Sequence, residues 1–447
     1  MYFLYSVLAG VALVLCSPVL LLRMLRHGKY RAGLAERFGR VPSRLSDPRP
    51  TIWIHAVSVG EVLAVSGLIR ELQQRMTTHR VVISTTTATG QKLARDRFGD
   101  SNVFYFPVDF AFAIRPYLRA LRPELVVVAE TEFWPNFLRL TRESGAHVAV
   151  VNARISDRSY PRYRRLRSLI SVVLQNVDLF LTQSEEDSRR LLNIGAPAER
   201  VKVGGNLKFD LTPTAAAPIV SAVRAAIQRE KIGPVLVCGS TVQGEEEILL
   251  RAFDSILEQD PSDALMILAP RHPERFDEVE RIIHAPREGA LSRISMRRSV
   301  WLDGDTPPAG GIFLLDSIGE LSSFYSLADI AFIGGSLVPK GGHNILEPAL
   351  HGAAIVVGPY TENFRDIVEL FRRADALVIT SAGHLANTFL SLLADNQRRH
   401  DLGTRAREIL RANSGATART VAALQSLLDH RPTHAAATAN ISPPVET

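Results

Sequence analysis

Residues Ile330 to Phe364 read IAFIGGSLVPKGGHNILEPALHGAAIVVGPYTENF. The apolar run Ile330–Ile333 meets Gly334-Gly335-Ser336, the pattern of a buried strand entering a turn that exposes backbone. Gly341-Gly342-His343-Asn344 then opens a helical pattern from Ile345 to Leu350. A second apolar strand, Ala353 to Val357, ends at Gly358-Pro359. Strand, glycine turn, helix and strand make a β-α-β unit, which commits the two strands to run parallel. Glycines at such turns let main-chain N–H groups approach a ligand, and a helix N-terminus favours negative charge. Read structurally, Asn344 is an N-cap and Glu347 its capping-box partner. Read functionally, the segment is a nucleotide cradle: Glu347 for ribose hydroxyls, the amides and Asn344 for phosphate or base. Three glycine turns within one unit favour the second reading.

The same alternation fills the chain. Thr51–Val57 is a strand, Ser58-Val59-Gly60-Glu61 its turn, and Val62–Arg75 an amphipathic helix. Val81–Ser84, Leu125–Val128, His147–Val151, Leu179–Thr182 and Val201–Val203 follow as strands, predicting a parallel sheet covered on both faces. Ligands of such sheets lie beyond the carboxyl ends of the strands. Glu61, Glu130 and Glu132 all fall there. Glu61 is either a dipole-stabilised helix-start residue or a general base; burial and the helix terminus push its pKa in opposite directions. A second series begins at Val235–Cys238. Its strand Ala264–Ala269 ends at Arg271 and His272, suited to a phosphate, and Phe313–Leu315 leads into Ile318-Gly319-Glu320. Between the two series, Gly204–Asp210 and the Pro/Ala-rich Leu211–Pro218 read as a linker. Lys208 there is a surface lysine or a contact for phosphate or carboxylate.

The chain has 447 residues, enough for two or three domains, and a net charge of +6. That bias suits an acidic substrate or anionic membrane and is too weak to imply nucleic acid. With only Cys16 and Cys238, a disulfide framework is excluded and a reducing compartment fits. Tyr2–Leu22 carries no charge and is followed by Arg23, Arg26, Lys29 and Arg31. Charge after the apolar run predicts an uncleaved signal-anchor, a transmembrane helix with the rest of the chain in the cytoplasm. Arg154–Arg167, basic with interleaved tyrosines, is either a solvated helix face or a contact for anionic lipid. Asp303 and Asp305 read as a surface turn rather than a metal site, and no P-loop is present. His430–Thr447 is Ala/Pro/Thr-rich and expected to be disordered.

HAVSVGE, AETEFWPN, GNLKFD, APRHPER, DSIGEL and GGHNILEPALHG, in this order, resemble the Kdo (3-deoxy-D-manno-octulosonic acid) transferase family of lipopolysaccharide biosynthesis. The similarity runs from about Gly28 to the final helices. It implies an α/β GT-B glycosyltransferase fold, two Rossmann-like domains facing a cleft: anchor 1–25, acceptor domain 26–207, CMP-sugar domain 208–429 and tail 430–447. By the same resemblance Glu61 is the catalytic base, and Glu130 and Lys208 stabilise the transition state. Arg271, His272, Ile318, Gly319, Glu320, Asn344, Ile345, Leu346 and Glu347 belong to CMP-binding segments. No metal or cofactor is implied. The implied partners are CMP-Kdo as donor, a lipid A precursor (lipid IVA) as acceptor, and inner-membrane lipids, with the catalytic domains on the cytoplasmic side. The alternatives are a GT-B enzyme using a UDP-sugar and a lipid-linked acceptor, and a non-catalytic membrane-tethered binding protein.

Overall fold

The computed structural model describes residues 1–27, 33–211, 217–259, 263–285, 293–302 and 304–429. It divides into two compact units, residues 1–210 with 413–447, and 211–412. In the first, β1 (Thr51–His55), β2 (Arg80–Thr85), β3 (Val103–Tyr105), β4 (Pro123–Ala129), β5 (His147–Ala153), β6 (Leu179–Thr182) and β7 (Val201–Val203) form one sheet. Its order is β3-β2-β1-β4-β5-β6-β7 and every pairing is parallel. Alternate side chains of β1 and β4 serve two cores. Trp53 and Val126 pack with Phe137 and Phe180 on one face; Ile52 and Val127 pack with Val65 and Leu68 on the other. This double burial explains why the strands read as unbroken apolar runs.

The second unit repeats the plan with β8 (Val235–Thr241), β9 (Leu265–Pro270), β10 (Ser295–Arg297), β11 (Ile312–Leu314), β12 (Ile330–Ile333), β13 (Ala354–Val357) and β14 (Val378–Ile379). Its order is β10-β11-β9-β8-β12-β13-β14, again parallel throughout. In both sheets the chain starts in the middle and reverses direction of growth, between β1 and β4 and between β8 and β12. The carboxyl ends at such reversals are where open α/β sheets bind ligands.

Two expectations change. The closing helices do not all belong to the second domain, because Ala416–Asp429 returns to the first unit. Its Val421 and Leu424 join the core around Val65 and Leu68. The Asp210 carboxylate accepts from Gly415 N and Thr417 N, and Arg419 Nε donates to Gly204 O at 3.0 Å.

The transmembrane anchor is also revised. Tyr2–His27 is helical, with Pro18 inside, but among the described residues no helix is long and apolar enough to cross a membrane. The helix uses its polar side chains to dock on the first unit. Asn136 Nδ2 donates to Ser6 Oγ at 2.9 Å, Asn176 Nδ2 to the Tyr2 hydroxyl at 2.8 Å, and Arg139 lies over the Tyr2 ring. Phe3, Leu4, Leu8, Val11, Val14 and Leu15 remain exposed, at helical spacing. The expected tail, Asp303 and residues 212–216 of the linker lie outside the described residues; Asp305 accepts from Leu302 N at 2.7 Å, as a turn residue does.

Candidate active site

At the reversal of the first sheet, Ser58 caps the helix Val59–Arg75, accepting from Glu61 N. Glu61, in the first turn of that helix, reaches back past the cap and accepts from Val57 N at 2.8 Å and Ser58 Oγ at 3.0 Å. Glu61 is thus a helix-start residue, one of its two expected readings, and its electrostatics go beyond that role. Burial, reinforced by the charges of Glu130 and Glu132 and resisted by the two hydrogen bonds, raises its pKa to about 7. A carboxylate balanced there can both take and hold a proton near neutrality. Burial and Glu130 also push Glu132 up.

Glu130 follows β4 with φ 57°, a left-handed conformation that is uncommon for a side chain of its length. Its N–H donates to Val151 O at 2.9 Å, which continues the pairing of β4 with β5 past the strand end. Lys208 sits in the turn Leu207–Phe209, whose N-cap Asn206 accepts from Lys208 N at 3.0 Å. Leu207 N in turn donates to Asn152 Oδ1 at 3.0 Å, at the end of β5. Glu61, Glu130 and Glu132 thus follow the adjacent strands β1 and β4, while Lys208 follows the edge strand β7 in a turn that is tied back to the end of β5.

The reversal of the second sheet is built differently, and here the cradle expectation is corrected. Glu245, fully buried, accepts from Val242 N (3.1 Å), Gly335 N (2.7 Å), Ser336 N (2.9 Å) and Leu337 N (2.9 Å). The amides of the glycine turn are spent on the protein's own carboxylate and are not left for phosphate. Gly358 is likewise a packing residue: a Cβ there would collide with Ser336 O.

What remains for a ligand lies beyond that filled nest. Arg271 follows β9, its N–H bound to Thr241 O at 2.9 Å. Its charge reaches both His343 and Glu347. Asn344 does not cap through Glu347's backbone; its Nδ2 donates to Glu347 Oε1 at 3.1 Å while its Oδ1 accepts from Leu346 N at 3.1 Å. Burial pushes the Glu347 carboxyl up, with Asn344 and Arg271 pulling it back. His343, missed as a site residue, is held at about 4 by burial and by the positive charge of Arg271 and His272. Its imidazole is therefore neutral at pH 7, and its buried Nε2 has no hydrogen-bond partner among the described residues.

The other members of the expected set contribute less through their side chains. Ile345 and Leu346 are buried, leaving only main-chain groups to meet a ligand, whereas Ile318 is exposed. Gly319 has φ 90° and open space around it. Glu320 is committed to Arg298, with two 2.9 Å contacts, and to Ser317. His272 is half exposed, 3.8 Å from Glu274. Sequence reasoning also missed Glu245 and Asn152. A polar residue directly after the apolar run of β5 was a signal for Asn152; Glu245, read only as the first residue of a helical pattern and placed just before the helix Glu246–Gln259, offered none.

Residues 32–211 match the family model described as 3-deoxy-D-manno-octulosonic-acid transferase (kdotransferase). Over 425 residues the chain is 32% identical to the 3-deoxy-D-manno-octulosonic acid transferase of Haemophilus influenzae, covering 93% of this chain and 97% of that one. The Bordetella pertussis protein of the same name is 33% identical over 428 residues, 92% of this chain and 97% of its own. Among solved structures, MurG of Acinetobacter baumannii matches 85% of this chain and 100% of its own at a TM-score of 0.53; at 15% identity it speaks for the GT-B fold alone. The chain belongs to the 3-deoxy-D-manno-octulosonic acid transferase family.

Proposed function

We propose that the protein is a CMP-Kdo-dependent glycosyltransferase of lipopolysaccharide biosynthesis, transferring Kdo to a sugar hydroxyl of a lipid A precursor, lipid IVA, with inversion. The observation that carries this is Glu61, a buried carboxylate at the strand reversal of the first unit, kept near neutrality by burial and two neighbouring carboxylates. Glu61 takes the proton of the acceptor hydroxyl as its oxygen bonds to the anomeric carbon. The bond from that carbon to the CMP phosphate oxygen breaks, and CMP leaves with the electron pair. Arg271, with Asn344 and Glu347 beside it, holds the nucleotide and offsets charge on the departing phosphate, the kind of interaction that contributes most to such reactions. Glu130 and Lys208 steady the charge that develops at the acceptor.

The outward stripe Phe3, Leu4, Leu8, Val11, Val14 and Leu15 and the exposed Arg158, Arg162, Arg164, Arg165 and Arg167 support attachment to the cytoplasmic face of the inner membrane. Apolar side chains enter the interface while arginines meet anionic headgroups. Membrane-bound acceptor and enzyme then share one surface.

Incubation with labelled CMP-Kdo and lipid IVA, followed by mass analysis, tests the reading: a product heavier by Kdo is expected. Glu61→Ala should lower turnover by ~10³-fold or more, within the range for loss of a general base, while CMP still binds; near-normal turnover refutes the assignment. Inhibition by UDP rather than CMP would favour the UDP-sugar alternative.

A further inference from the structure

The end of β5 carries three unfavourable features at one residue. Asn152 is 1% exposed yet has φ 54°, in the left-handed region. The pairing of β5 with β6 slips register between Val150 and Ala153, so Asn152 sits in a bulge. Its buried Nδ2 has no hydrogen-bond partner among the described residues. Strained backbone and an unsatisfied buried donor both weigh against the fold, and bulges of this kind collect beside functional sites.

What the residue does hold is specific. Its Oδ1 accepts from Leu207 N at 3.0 Å, and its carbonyl oxygen accepts from Gln183 Nε2 at 3.1 Å. The first bond ties the turn that carries Lys208 to β5. One residue earlier, Val151 O accepts from Glu130 N at 2.9 Å. The bulge is therefore attached through one peptide to the backbone of Glu130 and through one side chain to the turn of Lys208. Asn tolerates the left-handed conformation better than other side chains bearing both an acceptor and a donor.

We infer that Asn152 is a positioning residue, fixing Lys208 relative to Glu130 through its carboxamide oxygen and reserving its amide N–H group for an oxygen of the bound acceptor. The inference rests on the transferase reading above.

The test is a double-mutant cycle in the full-length protein with Asn152→Ala, Lys208→Ala and the pair, following Kdo transfer. Each single change should lower kcat by ~100-fold, the loss typical of one preorganised polar group. The pair should lose no more than about threefold beyond the worse single, because both act through one turn. Losses that multiply overturn the inference. Asn152→Asp covers a failure of the alanine variant to fold: it keeps the acceptor for Leu207 N but removes the N–H donors. It should fold, keep kcat near the wild-type value because the bond from Leu207 N remains, and raise KM for the acceptor; an unchanged KM would overturn the inference. If the wild type transfers no Kdo, the transferase reading fails instead. The Asn152–Lys208 link is then decided by amine-reactive labelling of Lys208, whose rate against pH should change in Asn152→Ala and stay unchanged if the link is wrong.

Discussion

Each sheet of this protein reverses its order once, and at each reversal stands a buried glutamate, yet the two are used in opposite ways. Glu245 in the second unit is surrounded by donors, four main-chain N–H groups reaching its two oxygens. Glu61 in the first has one N–H and one hydroxyl, and faces the charges of Glu130 and Glu132. Burial disfavours the charged form of both. At Glu245 the amides hold a loop in shape. Both carboxyls end above their ordinary value; at Glu61 fewer donors and two like charges accompany burial, and the group exchanges its proton near pH 7. The contrast teaches that a topological switch point supplies a place for chemistry, and that the local donor count decides whether the place is used for chemistry or for architecture.

Removing the two carboxylates should separate these roles. Glu61→Ala is expected to abolish transfer with little effect on the melting temperature, since the cap Ser58 remains. Glu245→Ala should orphan four buried amides and destabilise the protein by on the order of 4 kcal/mol, at about 1 kcal/mol for each. Glu245→Gln should fare little better, because its NH₂ group faces other donors. Chemical denaturation of the variants checks this; a Glu245 variant as stable as wild type, or a Glu61 variant that unfolds early, would dissolve the distinction.

A smaller effect is expected at Gly335, within the loop that Glu245 holds. Its φ is 70°, and an added Cβ would stand 2.9 Å from His343 Nε2. Gly335→Ala therefore combines backbone strain with displacement of the imidazole, for a loss of roughly 1–3 kcal/mol. Because His343 lies beside Arg271, CMP affinity should fall as well, readable by calorimetry. Weakened stability with unchanged CMP affinity would mean that His343 belongs to the loop and not to the nucleotide site.

Much of this architecture was legible in the chain. Parallel strands buried on both faces leave apolar runs such as Leu125–Val128 and Ile330–Ile333, and the polar residues that close them mark the sheet's carboxyl edge. That is why Glu61, Glu130, Arg271 and Glu347 could be picked out. What was illegible depends on contacts distant in sequence. The glycine turn at 334–336 looks like a phosphate cradle until Glu245, 90 residues away from Gly335, is seen to fill it. The Lys208 turn is tied to Asn152 across 55 residues, and the last helix to Asp210 across more than 200. The N-terminal apolar stretch misled for a related reason. Hydropathy weighs its leucines and valines, whereas Tyr2 and Ser6 decide that its first turns dock on the first unit.

The most delicate consequence of the contrast is in pH. With Glu61 raised from 4.5 to about 7, and the proton-free form acting as base, the rate of transfer should climb as pH rises and level off above about 7. Burial is the largest cause and would survive any change to its neighbours; Glu130 is the larger of the two carboxylate contributions. Glu130→Gln removes that repulsion, so the climbing limb should move toward lower pH, by roughly one unit or less for a single nearby charge. Stability carries the same signature with its own sign. A carboxyl whose folded pKa lies above its unfolded one contributes fully below the unfolded value and loses that contribution as pH rises through the folded value. The wild type should therefore lose stability relative to Glu61→Gln between pH 4.5 and 7, the window bounded by the two values. If the limb stays in place when Glu130 is neutralised while the stability difference persists, Glu61 owes its raised pKa to burial and not to Glu130, and the contrast between the two switch-point glutamates rests on how many donors they meet.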